Sequence, residues 1–211
     1  MCIRDRFRTK PIGIIILAAG ASRRMGRPKQ LLKIDNQTLI ERAIAITQAL
    51  ENQQTVVVLG ANAEKIIPFI PSHLSLDFII NENWEQGMGT TLKAGLEFLL
   101  TKEMDLSAVI VMVCDQPYLS TKVLQELIDR YHETKAEIVA TSYNNIIGVP
   151  ALFSKALFDN LIGLDKDEGA RKIIKRYEGQ MEVIDFPKGI YDLDTPQAYQ
   201  AYLDKKANEK K

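Results

Sequence analysis

Two cations just after a glycine turn, Arg24 and Lys29, and two carboxylates far downstream, Asp115 and Asp194, are the residues of this chain best suited to chemistry. Cations beside a loop of small residues neutralise a polyphosphate while the loop's free backbone N–H groups face it. The stretch from Ile12 to Lys29, IGIIILAAGASRRMGRPK, has that composition: an apolar strand, then Ala19, Gly20, Ala21 and Ser22, then Arg23, Arg24, Arg27 and Lys29. Spacing excludes two common phosphate loops. A P-loop has four residues between its glycines and then Gly-Lys-Ser/Thr, whereas five residues separate Gly20 from Gly26 and Arg27 follows. No G-x-G-x-x-G stands here either. An ordinary βα corner would explain the turn alone; the cations turn the reading toward phosphate.

Asp115 ends the apolar run AVIVMVC and precedes Gln116 and Pro117, which projects it at the carboxyl edge of a sheet near the first loop. One or two carboxylates with phosphate oxygens are the usual Mg²⁺ shell, and an Asp capping the next turn is the alternative. Asp192 and Asp194, in YDLDTPQAY, alternate along an extended segment and so face one side. One of them could complete the metal shell. Asp194-Thr195-Pro196 is equally a helix start, and the two roles are compatible. With only His73 and His132 in the sequence, a histidine zinc site and a Ser-His-Asp triad lack material. Trp84 and Met88 are expected to pack at the core or rim, ahead of lining a pocket.

These residues need a scaffold. The 211 residues fit one domain, and 46% hydrophobic content is enough for a core. Lys plus Arg and Asp plus Glu balance at 27 each, so no global field draws the chain to nucleic acid or an anionic membrane. Two cysteines, Cys2 and Cys114, make no disulfide framework, and a reducing cytoplasm is the expected setting. No stretch reaches the ~18 apolar residues of a membrane helix. The basic start before IGIIILAA has a signal-peptide flavour, but cutting there would remove the first strand of a regular pattern. Residues 1–10, MCIRDRFRTK, read as a disordered or non-native leader, 11–204 as a single domain and 205–211 as a charged tail.

Along the domain, Thr38 and Glu41 have capping-box spacing ahead of a helix over 38–51. TVVVLG is a buried parallel strand, a helix over 63–70 ends at Pro71, and DFIINE is a third strand. A helix over 87–100, the apolar strand 108–114 and a helix over 121–134 follow. Strands are expected at 137–142 and 148–153, helices from Ser154 and Glu168, a last strand at 182–186 and a terminal helix. Alternation of this kind predicts a three-layer α/β/α fold with a mostly parallel, Rossmann-like sheet and ligands at the strands' carboxyl ends. The strands at 137 and 148 are too close for a parallel crossover and are expected to form an antiparallel excursion along one wall of the site.

The segments LAAGASRRMGRPK, NENWEQGMGTTLKAG, DQP, GVPALF, DEGAR and DLDTP together resemble the molybdenum cofactor cytidylyltransferases, within the nucleotidyltransferases of the nucleotide-diphospho-sugar transferase type. The likeness covers about residues 12 to 203. It implies that the phosphate of molybdenum-loaded molybdopterin attacks the α-phosphate of CTP, giving molybdopterin cytosine dinucleotide and pyrophosphate, with Mg²⁺. It further implies that Leu17, Ala18, Ala19, Gly20 and Ser22 form the nucleotide loop, Arg24 and Lys29 hold phosphates, and Gly87 and Thr91 approach the base. Asp115 and Asp194 would hold the metal, and Gly148, Pro150 and Arg171 would lie toward the acceptor. The Ala18-Ala19-Gly20 form leans to CTP over GTP. Some members carry His where Val149 stands. A molybdenum hydroxylase would be the recipient of the product. PKQ at Pro28 to Gln30 is similar also to the cytidylyltransferase of isoprenoid synthesis, whose D-A-A-R-P segment is missing where DQP stands; methylerythritol phosphate or a sugar phosphate is the alternative acceptor. A non-catalytic cofactor carrier is the other class of reading, against which the Lys29, Asp115 and Asp194 set argues, since a carrier needs no metal at an α-phosphate.

Overall fold

The computed structural model describes residues 10–71, 76–102 and 105–209. Most of the expected leader, Cys2 and His73 lie outside them. The elements run β1 (Ile12–Ala18), β2 (Lys33–Ile34), β3 (Gln37–Thr38), α1 (Leu39–Gln48), β4 (Gln53–Leu59), α2 (Ala63–Ile66), β5 (Asp77–Ile80) and α3 (Met88–Thr101). They continue as β6 (Ala108–Val113), α4 (Thr121–Thr134), β7 (Ile138–Tyr143), β8 (Ile146–Ser154), α5 (Phe158–Ile162), α6 (Ala170–Arg176), β9 (Glu182–Asp185) and α7 (Pro196–Glu209).

Seven strands form the main sheet in the order β5-β4-β1-β6-β8-β7-β9, and only β8 runs against the rest. β1 lies between β4 and β6 with every residue buried, which is why it reads as an unbroken apolar run. Its side chains alternate between two cores. Ile14 and Ile16 pack toward Ile40 and Ile44 of α1 and Leu124 and Leu127 of α4. Ile15 and Leu17 pack toward Leu92 and Leu96 of α3, in the same core as Phe158 of α5 and Ile173 of α6. The result is the α/β/α sandwich expected from the alternation.

Local chemistry sets the boundaries. The Thr38–Glu41 capping box is formed, Thr38 Oγ1 accepting from the Glu41 N–H and Glu41 Oε2 accepting from the Thr38 N–H at 2.7 Å. The helix expected over 63–70 is cut short. Pro68 has no N–H to donate, so α2 stops at Ile66 and a 3-10 turn covers Ile67–Phe69. The antiparallel excursion is tighter than its expected bounds: Asn144 and Asn145, at φ 48° and 62°, make the whole turn between β7 and β8. The small β2–β3 hairpin, turning on Asp35 and Asn36 at positive φ, carries no apolar alternation and was invisible to periodicity.

Candidate active site

The loop after β1 is shaped from behind by Gln30, a fully buried side chain in the 3-10 turn Lys29–Leu31. Its Nε2 donates to the Ala18 carbonyl at 2.7 Å and the Gly20 carbonyl at 3.1 Å, while the Ala61 N–H takes the Ala19 carbonyl at 3.0 Å. Three successive carbonyls are thereby turned inward. The N–H groups of Gly20, Ala21, Ser22, Arg23 and Arg24 have no acceptor among the described residues. Backbone of this kind, donors out and acceptors consumed, is an anion cradle. Ser22, at φ 54°, closes it by accepting the Lys29 N–H at 3.0 Å. The cradle opens onto a cleft of about 410 Å³ lined by Leu17 to Arg23, Lys29, Trp84, Gly87, Met88, Thr91 and Asp115, among others.

Lys29 stands at the centre. Its ammonium donates to Asp115 Oδ2 and, at 2.6 Å, to Asp194 Oδ1, and Arg24 donates to Asp194 Oδ2 at 2.6 Å. Burial alone would lower the Lys29 pKa, yet the two carboxylates outweigh it and hold the group above the usual lysine range. Asp194 is opposed by burial and still held below the usual carboxylate range by Lys29 and Arg24. Partial burial, with Asp194 and Asp115 nearby, pushes Asp192 upward. Cys114, buried beside Asp115, has its thiol pushed up to about 12 and stays protonated.

The capping alternative for Asp194 is resolved by its neighbour: Thr195 Oγ1 accepts the Ala198 N–H at 3.2 Å, leaving Asp194 to the cations. Asp115 caps no helix through its side chain, and its carbonyl takes the Leu193 N–H at 3.1 Å, which ties the DLDTP segment beside β6. Asp115 and Asp194 thus converge on the Lys29 ammonium, and two carboxylates so placed are the oxygen ligands that a divalent ion of the Mg²⁺ class would use in its stead. Among the described residues no three His, Cys, Asp or Glu side chains cluster as metal ligands, so phosphate oxygens and water would complete such a shell.

A second chamber, about 550 Å³, lies on the other side of Lys29 and Asp115, bounded by Tyr143, Ile146, Val149, Arg171, Ile190 and Asp192. Arg171 donates to the Tyr143 hydroxyl at 3.3 Å. Gly148 and Pro150 are buried behind this wall, outside the lining; a Cβ on Gly148 would come within 2.6 Å of the Tyr143 hydroxyl. Gln116, of DQP, fastens the wall by donating to the Val149 carbonyl at 3.2 Å and the Gly189 carbonyl at 3.1 Å. Sequence reasoning missed the service of Gln30 and Gln116, although both sit inside quoted motifs, PKQ and DQP.

Trp84 and Met88 do both things the sequence left open: each lines the first cleft, and at its rim Trp84 packs on Gly60 and Met88 on Gly169. Gly87, at φ 119°, and Gly89 let the start of α3 lie against the backbone of 165–168: a Cβ on Gly87 would sit 2.2 Å from the Lys166 carbonyl oxygen, and one on Gly89 would sit 2.3 Å from that of Asp165. Gly89→Ala is therefore expected to lower stability by about 2 kcal/mol and to weaken nucleotide binding, measured by chemical denaturation and calorimetric titration; unchanged values in both would show the two segments free to separate.

Comparison with known proteins follows the same outline. Residues 14–181 match the MobA-like NTP transferase domain. The chain belongs to that family. As a MobA-like NTP transferase it is 28% identical over 183 residues to nicotine blue oxidoreductase of Paenarthrobacter nicotinovorans, covering 81% of this chain and 85% of that protein. It is 26% identical over 204 residues to the purine catabolism protein PucB of Bacillus subtilis, covering 88% and 92%. It also matches the bifunctional protein GlmU of Thermobifida fusca at 29% identity over 134 residues, 62% of this chain, but spans only 28% of that protein's length. Among solved structures, the homologue of Mycobacterium tuberculosis Rv0371c from Mycobacterium sp. strain JC1 superposes with a TM-score of 0.75 at 25% identity, covering 93% of this chain and 97% of that one. This MobA-like chain is a nucleotidyltransferase by family, and no helix among its described residues is long and apolar enough to cross a membrane.

Proposed function

We propose that the protein transfers CMP from CTP to the phosphate of molybdenum-loaded molybdopterin, releasing pyrophosphate. The observation that carries this reading is the junction of the two chambers, which share Leu17, Lys29, Met88, Val113 and Asp115. A two-substrate transfer needs its charged groups where donor and acceptor meet, and Lys29 and Asp115 occupy that place. The triphosphate takes the cradle and the first cleft; the phosphate-bearing acceptor takes the second. Leu17, Ala18, Ala19, Gly20 and Ser22 frame the nucleotide, Gly87 and Thr91 face its base, and Arg171 meets the acceptor.

The acceptor phosphate is already anionic, so an oxygen attacks the α-phosphorus with no general base. The new P–O bond forms as the bond to the α,β-bridging oxygen breaks, and pyrophosphate leaves with that electron pair. Lys29 and Arg24 leave the carboxylates for the phosphates and offset the charge that develops on the leaving group. Asp115 and Asp194 would hold Mg²⁺, which supplies charge neutralisation at the phosphate oxygens.

The test is pyrophosphate release with Mg²⁺ and each of CTP, GTP, ATP and UTP, with and without molybdenum-loaded molybdopterin. Release with CTP and the pterin together is the expected result. Release with CTP and methylerythritol phosphate, or with a sugar phosphate, would overturn the acceptor and leave the transferase.

A further inference from the structure

Thr91 lines the first cleft, Asn81 borders a neighbouring cavity behind it, and the hydrogen bond between them runs in one direction. Asn81 is buried in the turn after β5, its own N–H held by the Leu59 carbonyl at 2.8 Å. Its Oδ1 accepts the Asn83 N–H at 2.9 Å, which fixes the amide the other way round for its remaining neighbours. Nδ2 then donates to Thr90 Oγ1 at 2.9 Å and to Thr91 Oγ1 at 3.1 Å. The single Thr90 hydroxyl proton has carbonyl acceptors within reach, that of Asn83 at 3.0 Å and that of Gly87 at 2.9 Å. Thr91 differs. It is 4% exposed, lines the cleft, accepts from Asn81, and its hydroxyl proton meets no acceptor among the described residues.

We propose that Asn81 is a positioning residue for base selection: by donating to Thr91 it occupies one of the hydroxyl's two lone pairs, keeps the proton off residue 81 and so favours donation toward the nucleotide cleft. A donor there suits a base whose Watson–Crick ring nitrogen is an acceptor, as in cytosine and adenine. It opposes uracil and guanine, whose ring nitrogen carries a hydrogen. This rests on the reading of the first cleft as the nucleotide site with Thr91 at the base. A mismatch makes the hydroxyl turn its proton away from the base into a buried place with no acceptor among the described residues, and sites built on a hydrogen bond reject the wrong partner for that reason.

The polarity can be reversed by one atom pair. In Asn81→Asp the carboxylate still accepts from the Asn83 N–H but can no longer donate, so Thr91 must give its proton to residue 81 and show its lone pairs to the cleft. Calorimetric titration of the full chain with CTP and with UTP in Mg²⁺, without acceptor, reads the effect. Wild type is expected to prefer CTP at least about tenfold, equivalent to ~1.4 kcal/mol, and Asn81→Asp to lose or invert that ratio. Thr91→Val is expected to flatten it, and Thr91→Ser, which keeps the donor, to retain it; these two carry the test if Asn81→Asp fails to fold by circular dichroism. A wild type that prefers CTP, with the same ratio in Asn81→Asp or Thr91→Val, would overturn the proposal and leave the CTP reading standing. A wild type with no preference between CTP and UTP would overturn both.

Discussion

Asp115→Asn is expected to lower pyrophosphate release by about 10³-fold while CTP still binds. The substitution keeps size and hydrogen-bonding capacity but removes one of the two formal charges that converge on the chamber junction. Lys29 retains Asp194 at 2.6 Å, so the local structure has a partner to hold it. The loss therefore falls on the transition state, where charge builds on the leaving pyrophosphate, more than on ground-state binding. Turnover with CTP and the pterin, set beside calorimetric CTP affinity, separates the two. Equal loss in both would assign Asp115 to binding alone; undiminished delivery of cofactor to a molybdenum hydroxylase would favour the carrier over the enzyme.

Lys29→Ala is expected to do two things at once. Triphosphate affinity falls by about 10- to 100-fold, the worth of a charge-assisted hydrogen bond in a mostly buried place. Stability without metal falls as well, by about 2 kcal/mol, because Asp115 and Asp194 then face each other with their shared ammonium gone. The Lys29 side chain is 19% exposed and that of Asp115 11%, so water replaces the lost partner poorly. Mg²⁺ added to the variant has the vacated place to fill, and its melting temperature should rise with Mg²⁺ by more than that of the wild type. Equal metal response in the two proteins would show that the carboxylates do not share a cation site.

Much of this was written plainly in the chain. β1 and β6 are buried on both faces, and burial on both faces leaves an unbroken apolar run that any reader can find. Asp115 was legible because a carboxylate directly after such a run has nowhere to go but the sheet edge. Lys29 and Asp194 were legible as charges beside turn residues, though their direct bond spans 165 positions and no spacing rule could pair them. Gln30, Gln116 and Asn81 were harder for a different reason: an amide carries no charge and no periodicity, and its use depends on which backbone carbonyl or hydroxyl folding brings within 3 Å or so. Pro68 sits inside the apolar spacing of 63–70, which runs on past it and points to Pro71 as the stop, although α2 ends at Ile66.

The reversal of β8 divides the sheet's labour. β1 with its loop, and the stretch from Trp84 into the start of α3, line the first cleft, whereas the β7–β8 hairpin with α6 and the segment around Gly189 lines the second chamber, and β6 is the seam between them. Only the Lys29–Asp115–Asp194 knot must be kept for both sides to meet. With the nucleotide in the first cleft and the acceptor in the second, as proposed, a lineage built on this plan can exchange one acceptor for another by altering residues between 138 and 192, with the donor half left untouched. Diversity of substrate on a constant reaction is what such a partition makes easy.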